Sequence, residues 1–177
     1  NTINILVAGD HDNRNGYGAD EFAEKFMKTC ATKWSYSNNN KSYYYKDNTE
    51  KKLRFIVIDE VEGAPEYYYN VRHLQQAQAQ FLVDSLASTP ENYGIIICIH
   101  KPQGTAFKPA NNKFYFPHGN GDWSDGAFES GIRPIIHIVD LFNKRSSEQY
   151  SYNQSNSGGT FSWIDTTVTL DIDFSNV

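Results

Sequence analysis

Three short and almost continuous apolar runs constrain the fold of this chain most strongly. They cover residues 3–8, 53–58 and 95–99, and each is followed directly by a glycine or a polar residue. A short run that is apolar on both faces is typical of a strand buried on both sides of a sheet. Apolar residues at helical spacing separate the runs, within residues 20–30 and 74–86. Strands that alternate with helices predict an α/β domain built in layers.

The first half of the chain predicts two helices and one further strand around these runs. Asp20 is predicted to cap the first helix, whose apolar positions extend to Cys30. Residues 43–45 are consecutive tyrosines and predict an edge strand. The second helix carries a stripe at helical spacing that consists of Leu74, Ala77, Gln78, Phe81, Leu82 and Leu86.

The C-terminal part predicts a helix, a polar stretch and a final strand. The helix covers residues 132–142 and places Pro134 in its first turn, where a missing N–H is tolerated. Residues 146–159 are polar and of low complexity, and we expect them to be mobile. Residues 167–174 alternate apolar and polar side chains, as an edge or half-buried strand does. The length fits a single domain over residues 1–177.

Charge, apolar content and cysteines limit the classes of partner. The chain has 16 Lys and Arg against 21 Asp and Glu, with no basic stripe, so we expect no nucleic acid as a stable partner. No run approaches the roughly 18 apolar residues of a membrane span, and no signal-peptide pattern is visible. Cys98 lies in the third apolar run, which predicts a buried free thiol. Neither Cys98 nor Cys30 indicates a compartment, so localisation stays open.

Residues that can bind metal follow two of the apolar runs. Asp10, His11 and Asp12 come directly after Gly9, and His100 comes directly after the third run. Carboxylate oxygen and imidazole nitrogen suit divalent transition metals, and ligands of α/β folds bind beyond the carboxyl ends of the strands. Each group also has a structural explanation, as a turn cluster in the first case and as a hydrogen-bonded histidine in the second.

In sequence order, these segments resemble the calcineurin-like metallophosphoesterase superfamily. Gly9-Asp10-His11-Asp12 resembles the Gly-Asn-His-Asp motif of that family. Residues 54–59 look like its strand that ends in an acidic residue, and residues 74–82 like its helix of glutamine, aromatic and leucine. Residues 97–102 are similar to the strand that delivers a metal-binding histidine, and the helix at 132–144 is in its expected place.

The resemblance implies a layered α/β/β/α sandwich and a site for two divalent metal ions, such as Mn, Fe or Zn. Asp10 and His100 would be ligands of the second metal. His11 would stabilise charge near the scissile phosphate or protonate the leaving group, and Asp12 would orient His11. Two cations about 4 Å apart clamp the phosphate while a metal-held hydroxide attacks in line. The implied activity is the hydrolysis of a phosphomonoester or phosphodiester substrate.

The chain also departs from the family pattern. Asp10 stands where the family usually has asparagine, and its extra negative charge should weaken the pull of the metal on an anionic substrate. The family's Asp-x-His and Gly-Asp-x-x-Asp motifs would precede residue 1, and its Gly-His-x-His motif would follow residue 177. We therefore expect the central, incomplete part of a larger polypeptide or assembly, inactive in isolation. His118 is predicted to be a loop residue and His137 a packed helical one.

A non-catalytic domain is the alternative. The Asp10 substitution, the missing ligands and the Tyr- and Asn-rich segments at 35–45 and 104–123 favour a structural or glycan-binding domain of a bacterial or phage surface assembly. Glycan binding that survives a metal chelator would distinguish it from the enzyme. A Tyr-rich carbohydrate-binding module of another fold would leave the isoleucine strand and the helix stripe unexplained.

Overall fold

The computed structural model describes six parts of the chain and confirms the mixed α/β class. These parts are residues 4–9, 19–27, 41–59, 73–100, 129–154 and 165–177. The elements in chain order are α1 (Ala19–Phe22, continued by a π-helical segment Ala23–Met27), β1 (Tyr44–Asn48), β2 (Leu53–Val57), α2 (Gln76–Ala87), β3 (Gly94–Cys98), α3 (Glu129–Lys144), β4 (Ser147–Asn153) and β5 (Thr167–Asp173).

The first sheet has three strands in the order β1-β2-β3. β1 and β2 are antiparallel, with Tyr44 opposite Val57, which confirms the edge strand predicted at the tyrosines. β2 and β3 are parallel, with Val57 opposite Cys98. The carboxyl ends of β2 and β3 therefore lie at the same edge of the sheet. Asp59 and His100 follow these two strands at that edge.

β3 is less buried than its sequence predicts. Ile95 and Ile97 pack against the main core, whereas Ile96 on the opposite face is 41% exposed. The prediction of a strand buried on both faces is wrong at Ile96, because no described element covers this residue. Cys98 is a free cysteine and only half-buried, and this burial raises the pKa of its thiol. Cys30 lies outside the described residues.

The second sheet is the antiparallel pair β4 and β5, in register from Ser147 opposite Asp173 to Asn153 opposite Thr167. Burial alternates strictly along β5, which confirms the strand predicted from its pattern. β4 covers much of the stretch that was expected to be mobile. It is a regular strand because Tyr150 and Tyr152 pack against the core while its polar side chains bond across the ladder. Residues 155–159 lie outside the described part of the chain.

The main core surrounds α2, which contacts both α3 and β5. The buried residues of the helix are Gln78, Ala79, Leu82, Val83, Ser85 and Leu86. Ala77 is exposed, so the predicted stripe is wrong at this position. Leu74 is fully buried but precedes the helix. The other core residues come from β2, α3, β5 and the residues that directly follow β2 and β5: Ile56, Ile58, Ile135, Ile138, Leu141, Val168, Leu170, Ile172 and Phe174.

α3 begins before the predicted residue 132, so Pro134 lies beyond the first turn. The helix ends in a Schellman-type turn. Arg145 has φ 53°, its N–H bonds to the carbonyl of Phe142, and the N–H of Ser146 bonds to the carbonyl of Leu141. None of the described helices meets the length and apolar content that crossing a membrane requires.

Residues 3–8 were predicted as a buried strand, but the described residues of this run, 4–8, belong to no ladder within the described chain. The N–H and the carbonyl of Leu6 both bond to the hydroxyl of Tyr44, each at 2.7 Å, in place of a neighbouring strand. Asp20 lies inside α1, so its prediction as the cap is wrong. A second, smaller core joins this segment, α1 and the sheet through Ala8, Phe22, Ala23, Met27, Tyr44 and Val57.

Candidate functional site

Gly9, which precedes Asp10 in the chain, lies against the ring of His100. A Cβ atom placed on Gly9 would be 2.9 Å from Cε1 and 2.9 Å from Nδ1 of His100. Contacts this short are essentially never made by a real Cβ atom, so only glycine fits here without a shift of the ring. Gly9 itself is buried, and His100 is exposed. Gly9 and His100, which are far apart in the sequence, therefore meet at the carboxyl edge of the sheet.

Asp59 lies at the same edge and is almost completely buried, with an exposed fraction of 1%. The hydroxyl of Ser42 donates to its Oδ2 at 2.5 Å. The side-chain amide of Gln78 bonds to both main-chain groups of Asp59: it accepts from the N–H at 2.6 Å and donates to the carbonyl at 2.9 Å. Because a buried carboxylate is costly unless it is hydrogen-bonded, the bond from Ser42 helps to keep Asp59 in the core.

The N-terminal end of α2 uses its glutamines as substitutes for strand neighbours. The amide of Gln76 donates to the carbonyl of Thr169 at 2.9 Å and accepts from its N–H at 3.0 Å, which satisfies the free edge of β5. Asp165 accepts a hydrogen bond from the N–H of Gln76 at 2.8 Å and so caps the helix from a distant part of the chain. The same helix therefore holds the end of β2 through Gln78 and the second sheet through Gln76.

The other predicted residues are distributed as follows. Asp10, His11, Asp12 and His118 lie outside the described residues. His137 is half-buried on α3, where its Nε2 is 3.1 Å from a carboxylate oxygen of Glu148 and its ring is 4.2 Å from that of Tyr150. This surrounding fits the packed helical role predicted for His137.

His100 is thus the single predicted metal ligand whose position is described. In the six described parts of the chain, no group of three or more His, Cys, Asp or Glu side chains is arranged to hold a metal ion. An exposed imidazole beside Gly9 can contribute one nitrogen ligand to a cation, and Asp10 is the next residue after Gly9 in the chain. Imidazole nitrogen and carboxylate oxygen are both ligand types that suit a divalent metal.

An open cavity of about 360 Å³ lies elsewhere, on the second sheet. Its lining residues are Ser147, Glu148, Gln149, Asp171, Ile172 and Asp173. None of the predicted site residues belongs to this lining, so the concavity and the candidate chemistry occupy different parts of the fold.

The sequence analysis did not identify Tyr44 and Gln78 as supports of this edge of the sheet. Tyr44 was identified as a strand residue, and its hydroxyl bonds to a residue 38 positions away. Gln78 did carry a usable signal, because a glutamine in the middle of an apolar stripe must bury its amide and therefore needs partners. The sequence alone cannot name those partners.

Comparisons with protein-family models, with curated proteins and with solved structures found no match to this chain.

The contact between Gly9 and His100 gives a direct prediction. In Gly9→Ala, the new methyl group should displace the exposed ring of His100, with a stability loss of about 1 kcal/mol or less, since the ring can turn towards solvent. The ring resonances of His100 in a histidine-labelled sample should shift. Gly94→Ala is the matched control, because its Cβ would meet Leu53 at the same 2.9 Å at the opposite end of β3. Equal His100 spectra for both variants would contradict the contact.

Proposed function

We propose that this chain is the central part of a metal-dependent phosphoesterase of the calcineurin-like type, which hydrolyses phosphomonoesters or phosphodiesters. In this proposal two divalent metal ions bind at the carboxyl edge of the first sheet. Asp10 and His100 are ligands of one of them, and His11 and Asp12 are the catalytic residues. A site for two metal ions needs further ligands besides Asp10 and His100.

A single observation carries the proposal, namely the close approach of Gly9 to the ring of His100. The resemblance of two short motifs is weak support while they are considered only as sequence. A common site requires that the two motifs meet in space. The contact supports the proposal because it involves the residue next to Asp10, and because His100 follows β3 at the edge where α/β folds bind their ligands.

The chain's own residues have distinct tasks in this chemistry. When bound, two divalent cations polarise the phosphate and provide a hydroxide nucleophile at neutral pH. The imidazole of His100 and the carboxylate of Asp10 hold one cation in place. His11 donates a proton to the leaving oxygen or stabilises the charge that develops there. Asp12 would orient His11 and fix its tautomer.

The proposed fold is an α/β/β/α sandwich. The described parts support it with two sheets, a helix α1 on the smaller core, and helices α2 and α3 around the main core. α2 connects β2 to β5 through its buried residues and its glutamine amides. Face-to-face packing of the two sheets belongs to the proposal.

The test is hydrolysis of a generic aryl phosphodiester by the full-length protein. We expect activity with Mn²⁺ or Zn²⁺, loss of activity in EDTA, and recovery when the cation is returned. Asp10→Ala should remove this activity while leaving the fold unchanged by circular dichroism. Activity that neither Asp10→Ala nor chelation reduces would refute the metal mechanism.

The same samples distinguish the non-catalytic alternative. A glycan array run with and without EDTA reports binding that does not depend on metal. Binding that survives the chelator, together with no hydrolysis of aryl phosphomonoesters or phosphodiesters under any divalent cation, would replace the enzyme by a glycan-binding domain.

A further inference from the structure

The hydroxyl of Tyr44 makes two hydrogen bonds to one distant residue. It accepts from the N–H of Leu6 at 2.7 Å and donates to the carbonyl of Leu6 at 2.7 Å. Tyr44 is completely buried. One hydroxyl therefore bonds to both main-chain polar groups of Leu6, as a neighbouring strand would. The two bonds fix the segment around Leu6 both along the chain and across it.

Tyr44 also stands at the start of a continuous set of contacts that ends beside His100. It is paired with Val57 across β1 and β2, and Val57 is paired with Cys98 across β2 and β3. His100 follows Cys98 after one residue. On the other side, Leu6 is followed by Val7, Ala8 and then Gly9, which contacts the ring of His100. The phenol therefore fixes the distance between the two chain segments that meet at the candidate site.

Packing leaves the ring of Tyr44 little freedom to move. Ala8, Val57 and Met27 belong to the same small core and are completely buried, as is Tyr44 itself. In a close-packed interior a side chain with such neighbours transmits displacement instead of absorbing it. Movement of Leu6 relative to Tyr44 would consequently move Gly9 relative to His100.

We propose that Tyr44 is a positioning residue for the candidate metal site: its hydroxyl holds residues 4–9 so that Gly9 lies against His100. Residues 4–9 belong to no strand ladder in the described chain, so the phenol takes over the role that ladder hydrogen bonds have in a sheet. The geometric part of the proposal is independent of the activity. Its effect on catalysis rests on the proposed function.

The test compares Tyr44→Phe with Tyr43→Phe in the full-length protein. Tyr43 is the matched control because it is nearly as buried, at 5% exposed, and its ring lies against Phe81 at 5.2 Å. In Tyr44→Phe we expect hydrogen exchange of the Leu6 amide to accelerate by about tenfold or more, since two buried main-chain groups lose their partner. The ring resonances of His100 should shift. Tyr43→Phe should change neither signal.

Metal binding gives the functional readout. Mn²⁺ broadens nearby imidazole resonances, so a Mn²⁺ titration followed at His100 reports local affinity. Loss of the support behind a ligand segment should weaken this affinity about 10- to 100-fold in Tyr44→Phe. A general loss of stability would lower the melting temperature without a selective change at His100.

The outcomes separate the two proposals. Leu6 exchange and His100 resonances that do not differ from wild type in Tyr44→Phe overturn the positioning role. If both change while the wild-type protein shows no Mn²⁺ effect and no hydrolysis, the positioning stands and the phosphoesterase proposal fails. If Tyr44→Phe does not fold, exchange of the Leu6 amide in the wild type decides: protection at the level of the β2 amides supports the role, and exchange at the rate of an open loop refutes it.

Discussion

His100→Ala is expected to reduce metal-dependent phosphodiester hydrolysis by the full-length protein at least about 100-fold, because it removes a nitrogen ligand of the proposed metal site. The stability of the fold should change little. His100 is exposed, and truncation of an exposed side chain is usually within about 0.5 kcal/mol of neutral. A large activity loss with an unchanged fold is the signature of a ligand instead of a core residue.

The measurement is a kinetic comparison at saturating and limiting Mn²⁺, with thermal unfolding of the same samples. His137→Ala is the matched control, since His137 is another partly exposed histidine that pairs with Glu148 on β4 and contacts Tyr150. It should keep its hydrolytic activity. His100→Ala activity that matches wild type at every Mn²⁺ concentration would contradict the assignment of His100 as a ligand.

Arg54→Met is expected to lower the free energy of unfolding by about 2–4 kcal/mol, the largest stability effect that we predict. The guanidinium of Arg54 is buried and binds Asp47 with two parallel hydrogen bonds of 2.8 Å. Its third nitrogen donates to the carbonyl of Ser85 and the hydroxyl of Ser88, each at 2.9 Å. The group also lies 3.9 Å from the ring centre of Tyr45.

These contacts join the β1–β2 hairpin to the last turn of α2. Methionine fills a similar volume but leaves the carboxylate of Asp47 without both guanidinium donors. It also removes one donor to the buried carbonyl of Ser85, which keeps the hydroxyl of Thr89 at 2.8 Å. The side chain of Asp47 is 27% exposed, so water reaches it and the loss stays below that of a fully buried pair. The hydrogen bond to Asp47 raises the pKa of Arg54 above its usual value. On the alkaline side this contribution is therefore present up to the ordinary pKa of arginine, and it is lost as the pH rises through the raised pKa of Arg54.

Urea denaturation followed by circular dichroism measures the effect. Lys51→Met is the control, because Lys51 pairs with Glu50 while both side chains are mostly exposed, and it should change stability by about 0.5 kcal/mol or less. In the double variant Asp47→Asn/Arg54→Met the loss should be smaller than the sum of the single losses, since no stranded charge remains. Strict additivity, or an Arg54→Met loss no greater than that of Lys51→Met, would show that the ion pair contributes nothing.

Local patterns in the sequence were sufficient for most of the strands and helices. The alternation of residues 167–174 predicts β5 because a strand between core and solvent must alternate. The apolar runs likewise predict β2 and β3, although only packing decides that Ile96 is exposed. β4 escaped prediction because its side chains are mostly polar and face outward, and its regular structure depends on β5, about 20 residues later in the chain.

For the candidate site, too, one part followed from the sequence and the other only from the tertiary structure. The sequence by itself determined that His100 and the motif that begins at Gly9 each follow an apolar run. This arrangement suggested that the two contribute to a common site. Only the tertiary structure decided that Gly9 and His100 touch, that Tyr44 holds Leu6, and that Gln76 and Gln78 bond to main-chain groups of β5 and Asp59. The reason is that side-chain periodicity records which face of an element is buried, whereas these contacts join residues 19 to 93 positions apart, whose pairing depends on how the elements pack.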